Sequence, residues 1–334
     1  MSAITVANFN IMSSLASKYY FTEENITMNG VPTTLNEIHA TVENQRIGMI
    51  GSYLKNFIRI NPIEVLSLEE VNGEWLYYFS RLLPNYNFVY AEIKRPSTST
   101  FNLKYNSEKF SDNIVTYVRK DISFTNVTDA FQGFYSSKGN ISGRGFKYPS
   151  RAQVLKLNIT GKSIIYAHIH PGGNPDSDGK EFFNILSKFI SQMSTWKVLV
   201  IGDYNRDKES GAMEDLEKIK LEYYNDDRTT SYHGIIMKIG PDRRKYYYYK
   251  NGEKIGLSDE RFFKKLDNLY HRGVAVKQLV VFPQGGIRAQ QPYTLSNVNG
   301  YYNNLGEYVI KSGDFAVNTS WYSDHSMMVY KLLV

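Results

Sequence analysis

The sequence has no cysteine among its 334 residues, which excludes disulfides, thiolate nucleophiles and zinc–thiolate centres. Stability must come from packing. No apolar run approaches the roughly 20 residues that a membrane-spanning helix needs. Residues 1–10 lack a basic stretch followed by an apolar one and alternate as a strand does. The chain is therefore expected to be cytosolic, a mature form, or an effector exported by a route that leaves no such signal. Repeats and low-complexity linkers are also missing, so neither a solenoid nor a disordered chain is expected.

Packing material is plentiful. Apolar residues make up 42% and aromatics 14%, with 27 Tyr and 18 Phe, enough for a large core. The formal charge of +6 and pI near 9.0 suit an anionic partner such as DNA, because a basic surface concentrates phosphate-bearing ligands. The same excess of Lys and Arg would also serve solubility alone.

Strand-like runs recur: 4–11, 63–68, 87–91, 113–119, 153–159, 163–170, 197–201, 274–282 and 327–333. A helix opens at Thr34 with Glu37 as a capping box and places Ile47, Ile50, Leu54, Phe57 and Ile58 on one face. A second runs over about 179–193 with Phe182, Leu186, Phe189, Ile190 and Met193. Residues 198–201 are apolar without alternation, as in a central strand covered on both faces. Helices scattered between many strands predict two facing sheets with helices outside, a four-layer α/β/β/α sandwich. We expect one domain over 1–334, with surface insertions at about 94–112, 207–264 and 283–320. In the second insertion Tyr246–Lys250, Asn251-Gly252 and the residues from Glu253 read as a hairpin, its tyrosines serving a half-buried strand in preference to a base-stacking platform.

Four segments put proton-transferring or cation-holding side chains beside strand ends: Asn8-Phe9-Asn10, Leu68-Glu69-Glu70-Val71, Tyr166-Ala167-His168 and Gly202-Asp203-Tyr204-Asn205. Ser323-Asp324-His325 follows near residue 325. Each alone has a plainer reading; Asp203 and Asn205, for instance, suit an ordinary turn. As an ordered set they suit phosphodiester hydrolysis. A hard cation, Mg²⁺ or Mn²⁺ in its place, takes carboxylate oxygens and leaves room for phosphate and water, and Glu70 supplies that anchor. The attacking water needs a base and the phosphorus needs donors; His168, His325, Asn10 and Asn205 fit these roles. His170, His233 and His271 belong to no motif and read as surface or hydrogen-bonded core residues, and His39 as an ordinary helix residue. Arg243-Arg244-Lys245 reads as a solvated loop.

These segments resemble, in order and spacing, the signatures of the DNase I-like endonuclease/exonuclease/phosphatase superfamily: its first-strand Trp-Asn, Leu-Gln-Glu-Val, Gly-Asp-Phe-Asn and Ser-Asp-His. Within it the sequence is most similar to the catalytic B subunit of cytolethal distending toxin. Asn61 to Leu66, Ser150-Arg151, His168 with Gly172-Gly173, and Gly202 to Asp207 carry that likeness, which fails over the insertions. The resemblance implies Glu70 as principal metal ligand with Asn10 and Asp324 nearby. It implies His168 and His325 as catalytic imidazoles, Asp203 and Asn205 positioning water and phosphate, and Asp267 orienting His325. Asp112 matches in spacing the acid that would orient His168. Arg119 and Arg151 resemble two arginines that grip flanking phosphates, with Arg206 and Asn113 as further phosphate contacts. Glu69 departs from the usual glutamine and adds a second acid beside Glu70. A genotoxin-like endonuclease nicking duplex DNA, accompanied by delivery subunits and acting in a target-cell nucleus, is the leading expectation. A phosphoinositide phosphatase or sphingomyelinase is the alternative, since fold and chemistry leave the substrate open. A binding module with a decayed site is the third reading, and the intact set of acids and imidazoles argues against it.

Overall fold

The computed structural model describes residues 2–11, 26–28, 31–32, 35–91, 113–138, 151–171, 176–193, 195–206, 208–224, 236–239, 246–250, 253–255, 266–282, 296–302, 308–314, 325 and 327–334. β1 (Ala3–Asn10), β2 (Ile26–Met28) and β3 (Val31–Pro32) lead to the long helix α1 (Leu35–Ile60). β4 (Val65–Val71), α2 (Gly73–Leu82), β5 (Tyr86–Ala91) and β6 (Asn113–Arg119) follow. Next come β7 (Ser123–Asn126), α3 (Thr128–Lys138), β8 (Ala152–Ile159), β9 (Lys162–Ile169), α4 (Asp176–Ser191) and β10 (Lys197–Asp203). α5 (Glu214–Lys218) and β11 (Glu222–Tyr223) precede β12 (Ile236–Ile239), β13 (Tyr246–Lys250) and β14 (Glu253–Ile255). β15 (Asp267–Arg272), β16 (Ala275–Phe282), β17 (Ser296–Tyr302), β18 (Tyr308–Asp314) and β19 (Met327–Leu333) complete the order.

Two six-stranded sheets, ordered β16-β19-β1-β4-β6-β5 and β11-β15-β10-β9-β8-β7, form the frame. Ile4, Val6, Val65 and Val118 of the first pack against Leu157, Tyr166, Leu199 and Ile201 of the second, so the sheets share one inner core. α1 and α2 cover the outer face of the first sheet through Ile47, Ile50, Leu54, Trp75 and Phe79. α3, α4 and α5 cover the second through Phe131, Phe182, Leu186, Ile190 and Leu216. The expected α/β/β/α sandwich is what forms, because each helix carries one apolar stripe and each sheet has two faces to cover. Among the described residues no helix is long and apolar enough to cross a membrane.

Three departures from the sequence reading have local causes. α2 was not foreseen, although Asn72 caps it by accepting from the Trp75 backbone amide at 2.8 Å. β15 was missed because Asp267-Asn268-Leu269-Tyr270-His271-Arg272 is too polar to read as a strand, yet its burial is set by pairing with β10. Residues 208–224, assigned to an insertion, belong to the sandwich: Met213, Leu216 and Leu221 enter the outer core and β11 pairs with β15. The hairpin is present, with Lys250 opposite Glu253, and β12 extends it to a separate three-stranded sheet. β17 and β18 join β2 and β3 in a four-stranded sheet, an association that the sequence did not disclose.

Candidate active site

The topology collects chemistry at one edge. β1 and β4 run parallel in the first sheet, and β9 and β10 run parallel in the second. Their carboxyl ends carry Asn10, Glu70, His170 and Asp203. β19 and β15 are antiparallel to these strands, so their first residues arrive at the same edge; His325 lies just before β19, and Asp267 pairs in register with Asp203.

Asn10 bridges the sheets: its Nδ2 donates to Glu70 Oε1 at 3.1 Å and to Asp203 Oδ2 at 3.0 Å. The other Asp203 oxygen accepts the Asn205 amide at 2.7 Å in a tight turn, and Asn205 Nδ2 donates to the Pro171 carbonyl at 2.9 Å, locking together the segments that follow β9 and β10. Asp203 Oδ2 also stands 3.5 Å from His170 Nε2 and 3.6 Å from His325 Nε2. His325 Nδ1 donates to Asp267 Oδ2 at 2.8 Å, the arrangement that orients an imidazole with its Nε2 facing the pocket. His170 Nδ1 lies 3.2 Å from Arg151 Nη1. A guanidinium can only donate, so this ring nitrogen accepts and the proton of the neutral ring sits on Nε2, facing Asp203 and, at 3.7 Å, Glu70 Oε1.

His168, expected as a catalytic imidazole, is instead fully buried between the sheets. It faces Glu69 Oε1 through Nε2 at 3.0 Å and Thr116 Oγ1 through Nδ1 at 3.0 Å. The physical reason is register: Gly202 pairs with Ile169, so Asp203 is level with the residue after it, His170, while His168 sits two strand positions deeper, opposite Ile201. His170, read from sequence as a core or surface residue, is the histidine at the pocket. Signal for this choice existed only in the pairing of β9 with β10, since the two histidines share one face of one strand.

Arg119 is also displaced. β6 runs antiparallel to β4, so Arg119 lies at the opposite end of the sheet, about 20 Å of strand away from Asn113 at ~3.3 Å per residue. There Glu64 and Asp121 hold its guanidinium at 2.6–2.8 Å. Arg206 is buried, its guanidinium packed so closely on Gly179 of α4 that a Cβ there would collide with it. Neither is placed to grip a phosphate at the pocket. Arg151 is at the pocket, and Asn113, buried opposite Val71, stands at the site end of its strand. Asp112 and Asp324 lie outside the described residues.

Two backbone features aim the acids. β4 slips register between Leu68 and Val71, and Glu70 has φ +61°, a bulge with a left-handed residue, which costs about 1–3 kcal/mol and persists where surrounding structure enforces it. Alternation carries Glu69 to the inner face with Val65 and Ser67, toward His168, and would send Glu70 to the outer face with Leu66 and Leu68; the bulge turns Glu70 toward the pocket instead. Gly202 has φ +148°, and a Cβ there would overlap the Ile169 carbonyl oxygen. Gly202→Ala is expected to destabilise the protein by about 3 kcal/mol or more, read by denaturant unfolding; wild-type stability in that variant would contradict the close approach.

Burial drives the Glu69 carboxyl up to about 8 and Asp267 up to about 7, and drives the His168 imidazole down to about 3. Both acids thus hold an extra proton in the folded state, so their contribution falls as pH rises from about 4 toward 7 and 8. His168 holds one fewer, so its contribution is lost as pH drops from 6.5 toward 3. Above pH 6.5 only the acids count. The cation-free protein should lose stability between pH 6.5 and 8 by on the order of 3 kcal/mol, seen as a falling Tm in EDTA; a flat or rising Tm would refute this electrostatic picture.

The donor set fits a hard cation. Glu70 Oε1 and Asp203 Oδ2 converge on one amide nitrogen and one imidazole nitrogen, and paired carboxylate oxygens are what Mg²⁺ takes. Asp203, Asp267 and His325 also approach closely enough to ligate an ion. Of these, Asp267 Oδ2 is engaged by the His325 imidazole.

The sequence matches the endonuclease/exonuclease/phosphatase family model over residues 14–325. No curated protein matches it. Among solved structures, an endonuclease/exonuclease/phosphatase from Bacteroides vulgatus shares 13% identity at a TM-score of 0.53, with all of both chains covered. A humanized TDP2 from D. rerio shares 10% at 0.51, again over both chains entirely. The human Nocturnin catalytic domain with a bound sulfate anion shares 12% at 0.51, over 99% of this chain and 94% of that one. At these identities the likeness is one of fold.

Proposed function

The chain belongs to the endonuclease/exonuclease/phosphatase family, whose members hydrolyse phosphoester bonds with a divalent cation, and from that premise we propose that it is a Mg²⁺-dependent phosphodiesterase that nicks duplex DNA. One observation carries the reading: the Asp203 carboxylate stands between two imidazoles, at 3.5 and 3.6 Å, and shares the Asn10 amide with Glu70. Two imidazoles flanking one acid suit a reaction that needs a proton removed on one side of phosphorus and a hydrogen bond given to the departing oxygen on the other.

Glu70 and Asn10 would hold the cation, joined by Asp324. When bound, the cation polarises the phosphoryl oxygen and offsets its growing charge. His325, its Nδ1 proton held by Asp267, presents a bare Nε2 able to take the proton of the attacking water. His170, protonated on Nε2, faces the leaving oxygen. Asp203 faces the His170 Nε2 proton, Asp267 orients His325, and Asn205 holds Asp203. Arg151 orients His170 and contributes positive charge beside the substrate phosphate.

DNA as substrate is supported by the net charge of +6 and by the toxin-like segments, of which the described residues Arg151, Asp203 and Asn205 lie at the pocket. That likeness also carries the expectation of delivery subunits as partners. The test is relaxation of supercoiled plasmid with Mg²⁺ or Mn²⁺, with and without EDTA, beside an inositol-phosphate phosphatase assay on the same sample. Nicking that EDTA abolishes supports the proposal. Plasmid left supercoiled while the inositol phosphate is hydrolysed would overturn the DNA assignment.

A further inference from the structure

We propose that Glu69 is a positioning residue: one of its carboxyl oxygens ties the backbone of Asp203 to the buried His168 and thereby sets where Asp203 and Glu70 stand around the cation. The inference rests on the phosphodiesterase reading above and concerns a side chain that touches neither substrate nor cation.

Glu69 is completely buried at a point where the inner layer should be apolar. Its Oε1 accepts the Asp203 backbone amide at 3.3 Å and meets His168 Nε2 at 3.0 Å. β4 and β10 belong to different sheets, so this oxygen is a tie between the sheets directly beneath the pocket. The same residue begins the bulge that turns Glu70 toward the pocket. A shift of Glu69 would therefore move both cation-side acids at once.

Hydrogen-bond accounting shows why a carboxyl suits this position. Gln153 Nε2 donates to the carbonyls of Val89 and Ile114 at 2.9 and 3.0 Å, which turns its Oε1 toward Thr116. The Thr116 hydroxyl donates to that oxygen at 2.6 Å. Its lone pairs then face His168 Nδ1 at 3.0 Å, so Nδ1 carries a proton. The contact between His168 Nε2 and Glu69 Oε1 is then closed by a single proton shared between acid and imidazole, while the same oxygen still accepts from Asp203. A glutamine, the residue usual in this motif, could offer its oxygen to Asp203 or its NH₂ to His168 Nε2, but one atom could not do both. The chain Gln153–Thr116–His168–Glu69–Asp203 runs through Glu69 Oε1, while Glu69 Oε2 is buried without a hydrogen-bond partner; it makes an anchored floor, and supporting residues of this kind typically change metal affinity by about 10- to 100-fold when removed.

The test uses the full chain stripped of cations and titrated with Mn²⁺, free Mn²⁺ being read by electron paramagnetic resonance, alongside kcat and KM for bis(p-nitrophenyl) phosphate at saturating Mn²⁺. Glu69→Ala should weaken Mn²⁺ binding about 10- to 100-fold, and Glu69→Gln should weaken it less but in the same direction, with KM unmoved. Ser67→Ala is the control. It removes the 2.6 Å Ser67–Tyr166 hydroxyl contact in the same layer without touching Asp203, and should lower Tm while leaving Mn²⁺ affinity alone. If Glu69→Ala does not fold, Glu69→Gln decides. Mn²⁺ affinity within threefold of wild type in the Glu69 variants, or an equal loss in Ser67→Ala, overturns the proposal. A wild-type protein that neither binds Mn²⁺ nor cleaves the ester overturns the phosphodiesterase reading with it.

Discussion

His170→Ala is expected to lower kcat for phosphodiester cleavage by about 10²- to 10⁴-fold, the range typical of a general acid or base, with Tm close to wild type. The expectation follows from proton placement. Arg151 occupies the Nδ1 side of the ring as a donor, leaving the Nε2 proton aimed at the pocket beside Asp203 and Glu70. His168→Ala should behave in the opposite manner. That ring supports Glu69 and Thr116 from within the core, and its loss leaves buried polar groups unpaired, at about 1–3 kcal/mol each. The result should be a much lower Tm, weaker cation binding and, at saturating cation, a kcat within about tenfold of wild type. Measured on one preparation series, a kcat collapse in His168→Ala with His170→Ala fully active would reverse the assignment.

Glu70→Gln should separate stability from activity. The amide keeps the shape of the side chain and can still accept from Asn10 through Oε1, so the bulge has no reason to rearrange. What disappears is the negative charge next to Asp203, and with it the principal oxygen anchor for the cation. Cation affinity should fall by two orders of magnitude or more, and cleavage with it, consistent with the several kcal/mol that a bound cation supplies to such reactions. Relief of repulsion between two acids converging on one amide nitrogen should leave the cation-free Tm at or above the wild-type value, the usual trade between site chemistry and stability. Differential scanning fluorimetry with and without Mg²⁺ checks both halves: wild type should gain Tm on addition of Mg²⁺ and the variant should not. A variant stabilised by Mg²⁺ as strongly as wild type would remove Glu70 from the ligand set.

Much of the frame was legible because it rests on local periodicity. The apolar run 198–201, the stripe Ile47, Ile50 and Leu54, and the alternation of 327–333 each state their burial in the residues themselves, and the sandwich follows. The site was legible only as a set of segments. Which of His168 and His170 meets Asp203 depends on the register of β9 against β10, and no feature of either segment alone encodes it. Glu69 and Glu70 look like neighbours on opposite faces until the bulge is seen. Arg119 misled because a strand's direction decides which end of the sheet its last residue reaches, and β6 runs away from the pocket. Asp267 was singled out through its motif although its strand was not, since the polar residues that pair here do not show strand periodicity.

The placement of β19 between β1 and β16 has a bearing on biosynthesis. Asn10 leaves the ribosome hundreds of residues before His325, yet both reach the Asp203 carboxylate only when residues 327–333 pair between β1 and β16. A nascent chain can assemble the second sheet, and even its Asp203 turn, while the place beside β1 is empty and the His325–Asp267 pair is unmade. The His325–Asp267 pair is thus coupled to a strand pairing of very high sequence separation, the kind that forms late in folding.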